Sequence, residues 1–330
     1  VKVRASAPGK AVVLGEYAVL TGAEALVMAV DRRCHVSIET QRSGDTCRLL
    51  MRAPQPVEIE FSSGERSGNT LVDRVMTEMG GVEAVGAWRA ELDSSAFFSG
   101  RAKLGLGSSA AVLTALAAAW SRAAGLGLGS INVNSLIELH RRFQGGAGSG
   151  LDVAAAATGG VLSFRLARTG APVIGSVQLP NSVGFAGIFT GSSAATPDFV
   201  ERFDAWRAAQ PEVARAFIEV LESLAREGCL AARRNDAAGF LAAVGDYGVQ
   251  LERLGAEIGR AIVTQEHGDI AVLARQFGVT YKVSGAGGGD LGLAFSSDMD
   301  ALGALRSALR ATQYEWIDLD VDPAGLVVEE

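Results

Sequence analysis

Residues 103–112 read KLGLGSSAAV, and this stretch decides the fold. Gly105 and Gly107 interrupt whatever precedes them, and the alanine- and leucine-rich run that follows predicts a helix over 108–124, stopped by Gly125. The N–H groups of such a helix's first turn have no partners within it and lie at the positive end of its dipole. Small residues let the backbone fold around an anion there, and phosphate is the natural guest. Ser108 or Ser109 can add a hydroxyl to phosphate or to a bound Mg²⁺, and Lys103 brings a positive charge. The stretch is not the phosphate loop GxxxxGK[ST], and it lacks the third glycine of GxGxxG. Taken alone, it is equally well a serine-capped, alanine-rich helix.

Two further segments bear on that choice. Upstream, SAPGKAVVLGEYAVL from Ser6 reads as strand, glycine turn, strand, with Lys10 on the turn and a polar GEY in apolar surroundings. By itself it is an ordinary hairpin. Downstream, KVSGAGGGDLGLAF from Lys282 sets five glycines between Ser284 and Gly292, more than a hairpin turn needs. Such a density points to backbone contact with a ligand or with the first loop.

The totals narrow the classes. A chain of 330 residues, 48% hydrophobic and 20% charged, fits two modest domains or one large one. Its net charge of -7 gives no basic field, so neither a nucleic acid nor an anionic membrane is expected as a partner. Cys34, Cys47 and Cys229 are scattered, without the spacing of a disulfide framework or a zinc site, which fits a reducing cytoplasm. The apolar run from Ala110 is far shorter than the ~20 residues of a membrane span. No basic-then-apolar leader opens the chain. His35, His140 and His267 have no metal spacing, and His140 is expected to be a buried, hydrogen-bonded side chain.

Along the chain, residues 1–40 read as β-rich, 42–68 as a hairpin and exposed loop, and TLVDRVMTEM as a helix. A helix is predicted over 134–143, followed by the glycine turn QGGAGSG, an alanine-rich segment and the strand VLSFRL. Amphipathic stretches at 197–226 and 237–262 predict two long helices, with a short one near 270–277, a last one from Asp298 and a terminal strand near 315–319. The loop-like stretch 165–180 places a boundary between a domain of residues 1–170 and one of 171–330.

PGKxxxxGEYAV, GLGSSAA and SGAGGGD, in this order, resemble the three motifs of the GHMP kinases, named for galactokinase, homoserine kinase, mevalonate kinase and phosphomevalonate kinase. The resemblance runs from Pro8 to Asp290. It implies an α+β, two-domain GHMP kinase fold, with a ribosomal protein S5 domain 2-like N-terminal domain and a ferredoxin-like C-terminal domain. ATP and Mg²⁺ are then the implied cofactors, a small-molecule phosphate acceptor the partner, and a monomer or homodimer the state. Finer features resemble the phosphomevalonate kinase branch: Lys103 before GLGSSAA, HRRFQGGAGSGLDVAAA from His140, FTGSSAATPDFV from Phe189, and the serine of YKVSGAGGGD.

The resemblance also assigns roles. Asp152 matches the catalytic Asp, although by residue type alone it reads as a helix cap, and Lys10 matches the lysine of the first motif. Lys103, Gly105, Leu106, Gly107, Ser108, Ser109 and Ala110 are expected at ATP, with Ser109 also on the metal. Lys10, Glu16, Tyr17, Gln144, Ser149, Ser192, Thr196, Ser284, Ala286, Gly287 and Gly288 are expected at the acceptor, with Ser193 a further hydroxyl of the same loop. Mevalonate kinases carry a metal-binding Glu eleven residues before the catalytic Asp, where this chain has Arg141. A cation there suits an acceptor that already bears phosphate, with Arg141, Arg142, Lys103 or Lys10 supplying charge; two arginines on a solvated helix face are the plain alternative.

Overall fold

The structure is a computed structural model that describes all residues except 42–43, 82–83, 128, 130, 147, 168–169, 193–195 and 330, and the side chains of 196–197. The first sheet is built on two long strands, β1 (Lys2–Leu14) and β2 (Ala25–Thr40), antiparallel along nearly their whole length. β3 (Thr46–Met51), β4 (Val57–Ser62) and β5 (Trp88–Asp93) extend it on the far side of β2, with α1 (Thr70–Glu78) between β4 and β5. Along β1, Val3, Ala5 and Ala7 are buried while their neighbours face outward, the period of a strand with one covered face. From Ala11 onward β1 is buried on both faces.

The helix expected over 108–124 forms as α2 (Ser108–Ala123) and lies on β1 and β2. Its alanines let it approach the sheet closely, and Trp120 meets Trp88 edge to face at 5.5 Å. α3 (Val133–Phe143) and α4 (Leu151–Thr158) complete this layer. The segment PGK is not a turn. Lys10 lies within β1, and the glycine serves a register shift between Pro8 and Gly9.

The expected loop at 165–180 contains a strand. β8 (Val161–Arg165) pairs with β2, and β9 (Val173–Val177) turns back onto β8. A terminal strand the sequence analysis lacks, β14 (Val327–Glu329), pairs with β1, so the first sheet takes strands from both sides of residue 170.

The remaining segment contains β10 (Gly184–Phe189), α5 (Thr196–Ala209), α6 (Pro211–Arg233), α7 (Ala237–Glu257), α8 (Gln265–Gln276), β11 (Thr280–Val283), β12 (Leu291–Ser296), α9 (Met299–Leu309) and β13 (Glu315–Ile317). The stretch read as one helix from Pro197 is two, because Pro211 opens a new helix at its first position. The four strands pair antiparallel in the order β11-β12-β10-β13. With α8 and α9 as crossovers this is the ferredoxin-like β-α-β-β-α-β arrangement. Strand alternation supplies both faces: Ile188 and Ala294 pack under α8 and α9, whereas Leu291, Leu293 and Phe295 face α7 and the main core. Among the described residues, no helix is long and apolar enough to cross a membrane.

Candidate active site

Strand β1 meets two loops where the two sheets join. Gly9 lies in β1 at its register shift, and a Cβ there would stand 2.6 Å from the Leu106 carbonyl oxygen and 2.7 Å from the Phe97 ring. Only glycine allows that approach, which the Lys10 N–H secures by donating to the Leu106 oxygen at 2.8 Å. The Lys10 ammonium then donates to the Gly105 oxygen at 3.0 Å.

Gly107 caps α2 in the left-handed region, φ 77°, with no side chain closing the helix end. It separates Lys10 from Asp152: a Cβ would lie 3.0 Å from Lys10 Cγ and 3.8 Å from Asp152 Cβ. Asp152 is the second residue of α4, whose cap is Gly150, so the helix-cap alternative for Asp152 does not hold. Two helix N-termini with glycine caps, those of α2 and α4, converge on this point. Both present positive dipole ends; in α4 the Leu151 and Val153 N–H groups donate to Ser149 Oγ and Asp152 Oδ1, at 3.4 and 2.9 Å.

A cavity of about 320 Å³ opens over them. Of the expected residues, Lys10, Glu16, Tyr17, Lys103, Gly105, Leu106, Gly107, Ser108, Ser109, Gln144, Ser149, Asp152, Ser284 and Ala286 reach its wall. Ala110 does not, being fully buried behind the helix start. Gly287 and Gly288 do not either. A Cβ on Gly287 would meet the Ile262 backbone at 2.5 Å and one on Gly288 the Phe199 ring at 2.2 Å, so close packing within the protein accounts for these two glycines. Ser192 stands off the wall, its carbonyl accepting from the Asp290 N–H at 2.7 Å. Thr196 opens α5, and its side chain, like Ser193, lies outside the described residues.

Arg141 and Arg142 are absent from the wall. The Arg141 guanidinium donates to the carbonyls of Gly148 and Ser149 and to Glu138, bracing the loop that leads into Asp152. Arg142 pairs with Glu78 on an exposed face. The plain alternative holds for Arg142, while Arg141 acts on the loop.

Several wall residues were not anticipated. Val12, Val19, Leu20, Phe97, Leu151 and Val200 form an apolar side, and Asp290 an acidic point beside Gly105. Behind the wall, the Lys282 ammonium donates to Glu16 in a fully buried ion pair. Glu16 Oε2 has no hydrogen-bond partner. The same seam carries the Tyr17 hydroxyl donating to the Ala286 carbonyl, the Tyr247 hydroxyl donating to the Glu16 carbonyl, and the Ser284 hydroxyl shared with the Val12 N–H and carbonyl. Ser284 therefore ties β1 to the turn after β11. Tyr17 holds a positive φ of 61°, rare for an aromatic residue and sustained by these contacts.

Burial lowers the Lys10 pKa below the ordinary lysine value, against the carboxylates of Asp152, Asp290 and Glu16, which raise it. Lys282 is lowered likewise by burial and held up by Glu16. His140 is buried, with Nε2 3.2 Å from Ser109 Oγ and Nδ1 3.9 Å from Asp152 Oδ2.

The residues present fit a nucleotide polyphosphate and its cation. The uncapped start of α2 opens onto the cavity between Lys10 and Lys103, and the hydroxyls and carboxylates on the wall are hard oxygen donors. Among the described residues no three His, Cys, Asp or Glu side chains form a metal cluster.

An α+β protein with a helix-start phosphate cradle set against a buried lysine and a carboxylate belongs to the phosphate-handling class. Residues 76–160, which span α2, α3 and α4, match the family model described as the GHMP kinases N terminal domain. Residues 76–160 thus carry a GHMP kinase N-terminal domain, and curated relatives of the chain over most of its length are small-molecule kinases. The chain is 29% identical to the phosphomevalonate kinase of Streptomyces sp. (strain CL190) over 335 aligned positions, 87% of this chain and 88% of that protein. It is 28% identical to the mevalonate kinase of Pyrococcus horikoshii over 306 positions, 87% of this chain and 86% of that one. Among solved structures, Streptococcus pneumoniae phosphomevalonate kinase in complex with phosphomevalonate and AMPPNP superposes with a TM-score of 0.79 at 19% identity, covering 96% and 99% of the two chains. L. major mevalonate kinase in complex with R-mevalonate gives 0.73 at 18%, covering 97% and 96%.

Proposed function

We propose that this kinase transfers the γ-phosphoryl group of ATP to a small acceptor of the isoprenoid pathway, 5-phosphomevalonate, giving 5-diphosphomevalonate and ADP. The observation that carries the acceptor is the pair of lysines on the cavity wall, Lys10 and Lys103, next to an apolar side built from Val12, Val19, Leu20, Phe97, Leu151 and Val200. One lysine serves the transferring group and the other an acceptor phosphate, while the apolar side takes a branched carbon skeleton. The similarity to the Streptomyces phosphomevalonate kinase supports this reading.

Phosphoryl transfer asks the protein for alignment and charge neutralisation more than for covalent work. The N–H groups at the start of α2, with Ser108 and Ser109, bind the ATP phosphates. Ser109 would hold Mg²⁺, which when bound would supply charge neutralisation on the polyphosphate. Lys10, whose ammonium interacts electrostatically with Asp152 and Asp290, stabilises charge on the transferring group. Asp152 receives or orients the acceptor's proton.

A mevalonate kinase is the second reading, favoured by the similarity to the Pyrococcus protein. ADP release coupled to a reporter, measured with mevalonate, 5-phosphomevalonate, homoserine and hexoses, decides between them. Turnover on mevalonate alone overturns the phosphomevalonate assignment. ATP-dependent release of CO₂ from mevalonate diphosphate marks a decarboxylase of the same fold, and ATP binding without turnover on any acceptor marks a nucleotide sensor.

A further inference from the structure

His140 is the buried titratable side chain that touches the site on two sides, and the roles proposed above give it no task. It sits in the last turn of α3, 1% exposed, its ring stacked on Phe143 at 6.2 Å. Nε2 faces the Ser109 hydroxyl at 3.2 Å and Nδ1 faces Asp152 Oδ2 at 3.9 Å. A neutral imidazole has one donor and one acceptor nitrogen. With a carboxylate on the Nδ1 side, the favoured tautomer carries its proton there and leaves Nε2 as the acceptor. Ser109 must then donate. A hydroxyl whose hydrogen is committed backward presents its lone pairs forward, into the cavity at the start of α2.

We propose that His140 is a positioning residue that fixes the Ser109 hydroxyl as an oxygen donor for the nucleotide's cation and couples its orientation to Asp152. No proton is transferred: the Ser109 hydrogen stays on its oxygen and the His140 hydrogen on Nδ1. The inference rests on the kinase reading, in which Ser109 faces Mg²⁺ and Asp152 the acceptor. It adds a link between the two halves of the site, since α3 reaches α2 through Ser109 and α4 through Asp152.

The test uses ADP as the probe, titrated into the full chain by calorimetry with and without Mg²⁺, alongside steady-state kinetics. His140→Phe keeps the aromatic packing and removes both nitrogens. It is expected to lose about 10–100-fold of the Mg²⁺-dependent part of ADP affinity, the usual effect of removing a residue that orients a metal ligand. Metal-free affinity stays as in the wild type. His140→Gln, whose amide oxygen reaches the Nε2 position, restores most of the loss. Ser109→Ala combined with His140→Phe is no worse than Ser109→Ala alone, because both act through one hydroxyl. Should His140→Phe fail to fold, His140→Asn, which keeps an amide toward Asp152 but withdraws the acceptor from Ser109, shows the same loss. Wild-type Mg²⁺·ADP affinity in a folded Phe or Asn variant, or additive losses in the double variant, overturns the proposal. Labelling of Ser109 by a fluorophosphonate probe also overturns it, since that identifies an activated nucleophile. A wild-type chain that binds no nucleotide removes the kinase reading and this inference together, whereas normal wild-type binding with indifferent variants removes this inference alone.

Discussion

Two glycine-rich loops face one cavity, and their glycines are there for opposite reasons. In 103–110 Gly107 ends α2 without a side-chain cap and lines the cavity with Gly105, Ser108 and Ser109, although Gly105 is itself packed, a Cβ there standing 2.6 Å from Asp290 Cβ. In 284–290 Gly287 and Gly288 are pressed against Ile262 and Phe199, and the residues between Ser284 and Asp290 that reach the wall do so on a turn held by neighbouring backbone. The first loop is shaped for a ligand and the second for the join between the two sheets. Density of glycine marks close approach without saying what approaches.

The largest effect is expected on the first loop's side, where Asp152 stands across Gly107 from Lys10. Asp152→Asn keeps the shape of the site and removes the charge, and kcat is expected to fall by about 10²–10⁴-fold. ADP affinity, measured by calorimetry, changes little. Near-normal turnover would take Asp152 out of the reaction and leave the first loop as a binding element only.

The second loop should answer in stability instead. Gly288→Ala places a methyl 2.2 Å from the Phe199 ring at a φ of 78°. Overpacking of this kind costs roughly 1–3 kcal/mol, before the left-handed backbone adds its own strain. The thermal midpoint is expected to fall by several degrees while ADP affinity of the folded protein holds. The mirror change, Gly107→Ala, meets the flexible Lys10 side chain at 3.0 Å and Asp152 Cβ at 3.8 Å, and beyond the strain of the same left-handed backbone its effect is expected in ADP affinity. If Gly288→Ala weakened ADP binding and left the midpoint alone, the contrast between the loops would be lost.

This contrast also marks how far the sequence could be read. α2 was legible as a helix, because an alanine-rich run between glycines favours no other element, whereas the serine cap that the stretch also offered is not formed and Gly107 takes that position. Asp152 and Lys10 became legible through the order of three motifs. The apolar wall was not, since Val12, Val19 with Leu20, Phe97, Leu151 and Val200 come from five places in the chain and each is an ordinary core residue locally. The Glu16–Lys282 pair joins residues 266 apart, a distance at which no local pattern exists. β9 and β14 are strands of five and three residues that borrow their stability from β8 and β1, and short edge strands leave little periodicity to detect.

Smaller effects separate the lysines of the first loop's surroundings. Lys103 is exposed at the cavity mouth, and Lys103→Met removes a charge-assisted contact worth about 1.5–3 kcal/mol to a phosphate. KM for 5-phosphomevalonate is expected to rise by about tenfold or more, with KM for mevalonate unmoved. Lys10 reports on pH. It acts as a cation, so activity is present below its pKa and lost as pH rises through it. Burial lowers that pKa, and the alkaline limb of the kcat profile is expected below the ordinary value of 10.5. Asp290 is one of the carboxylates that hold it up, so Asp290→Asn moves the limb to lower pH. A limb that stays in place would detach the second loop from the chemistry altogether.

The smallest effect tests whether position in sequence next to the site confers any role. Arg141 and Arg142 both precede the glycine turn before Asp152, and by residue type either could meet an acceptor phosphate. Their side chains part company: Arg141 holds the carbonyls of Gly148 and Ser149, whereas Arg142 is 57% exposed and pairs with Glu78 on α1. An exposed pair contributes roughly 0.2–1 kcal/mol, and less at high salt. Arg142→Ala is therefore expected to leave both KM values and kcat unchanged and to move the thermal midpoint by a degree or two at most. Arg141→Ala, by freeing the loop that carries Ser149 to the wall, should raise KM. A rise in acceptor KM from Arg142→Ala that salt abolishes would mean the substrate reaches beyond the cavity, onto the outer face of α3.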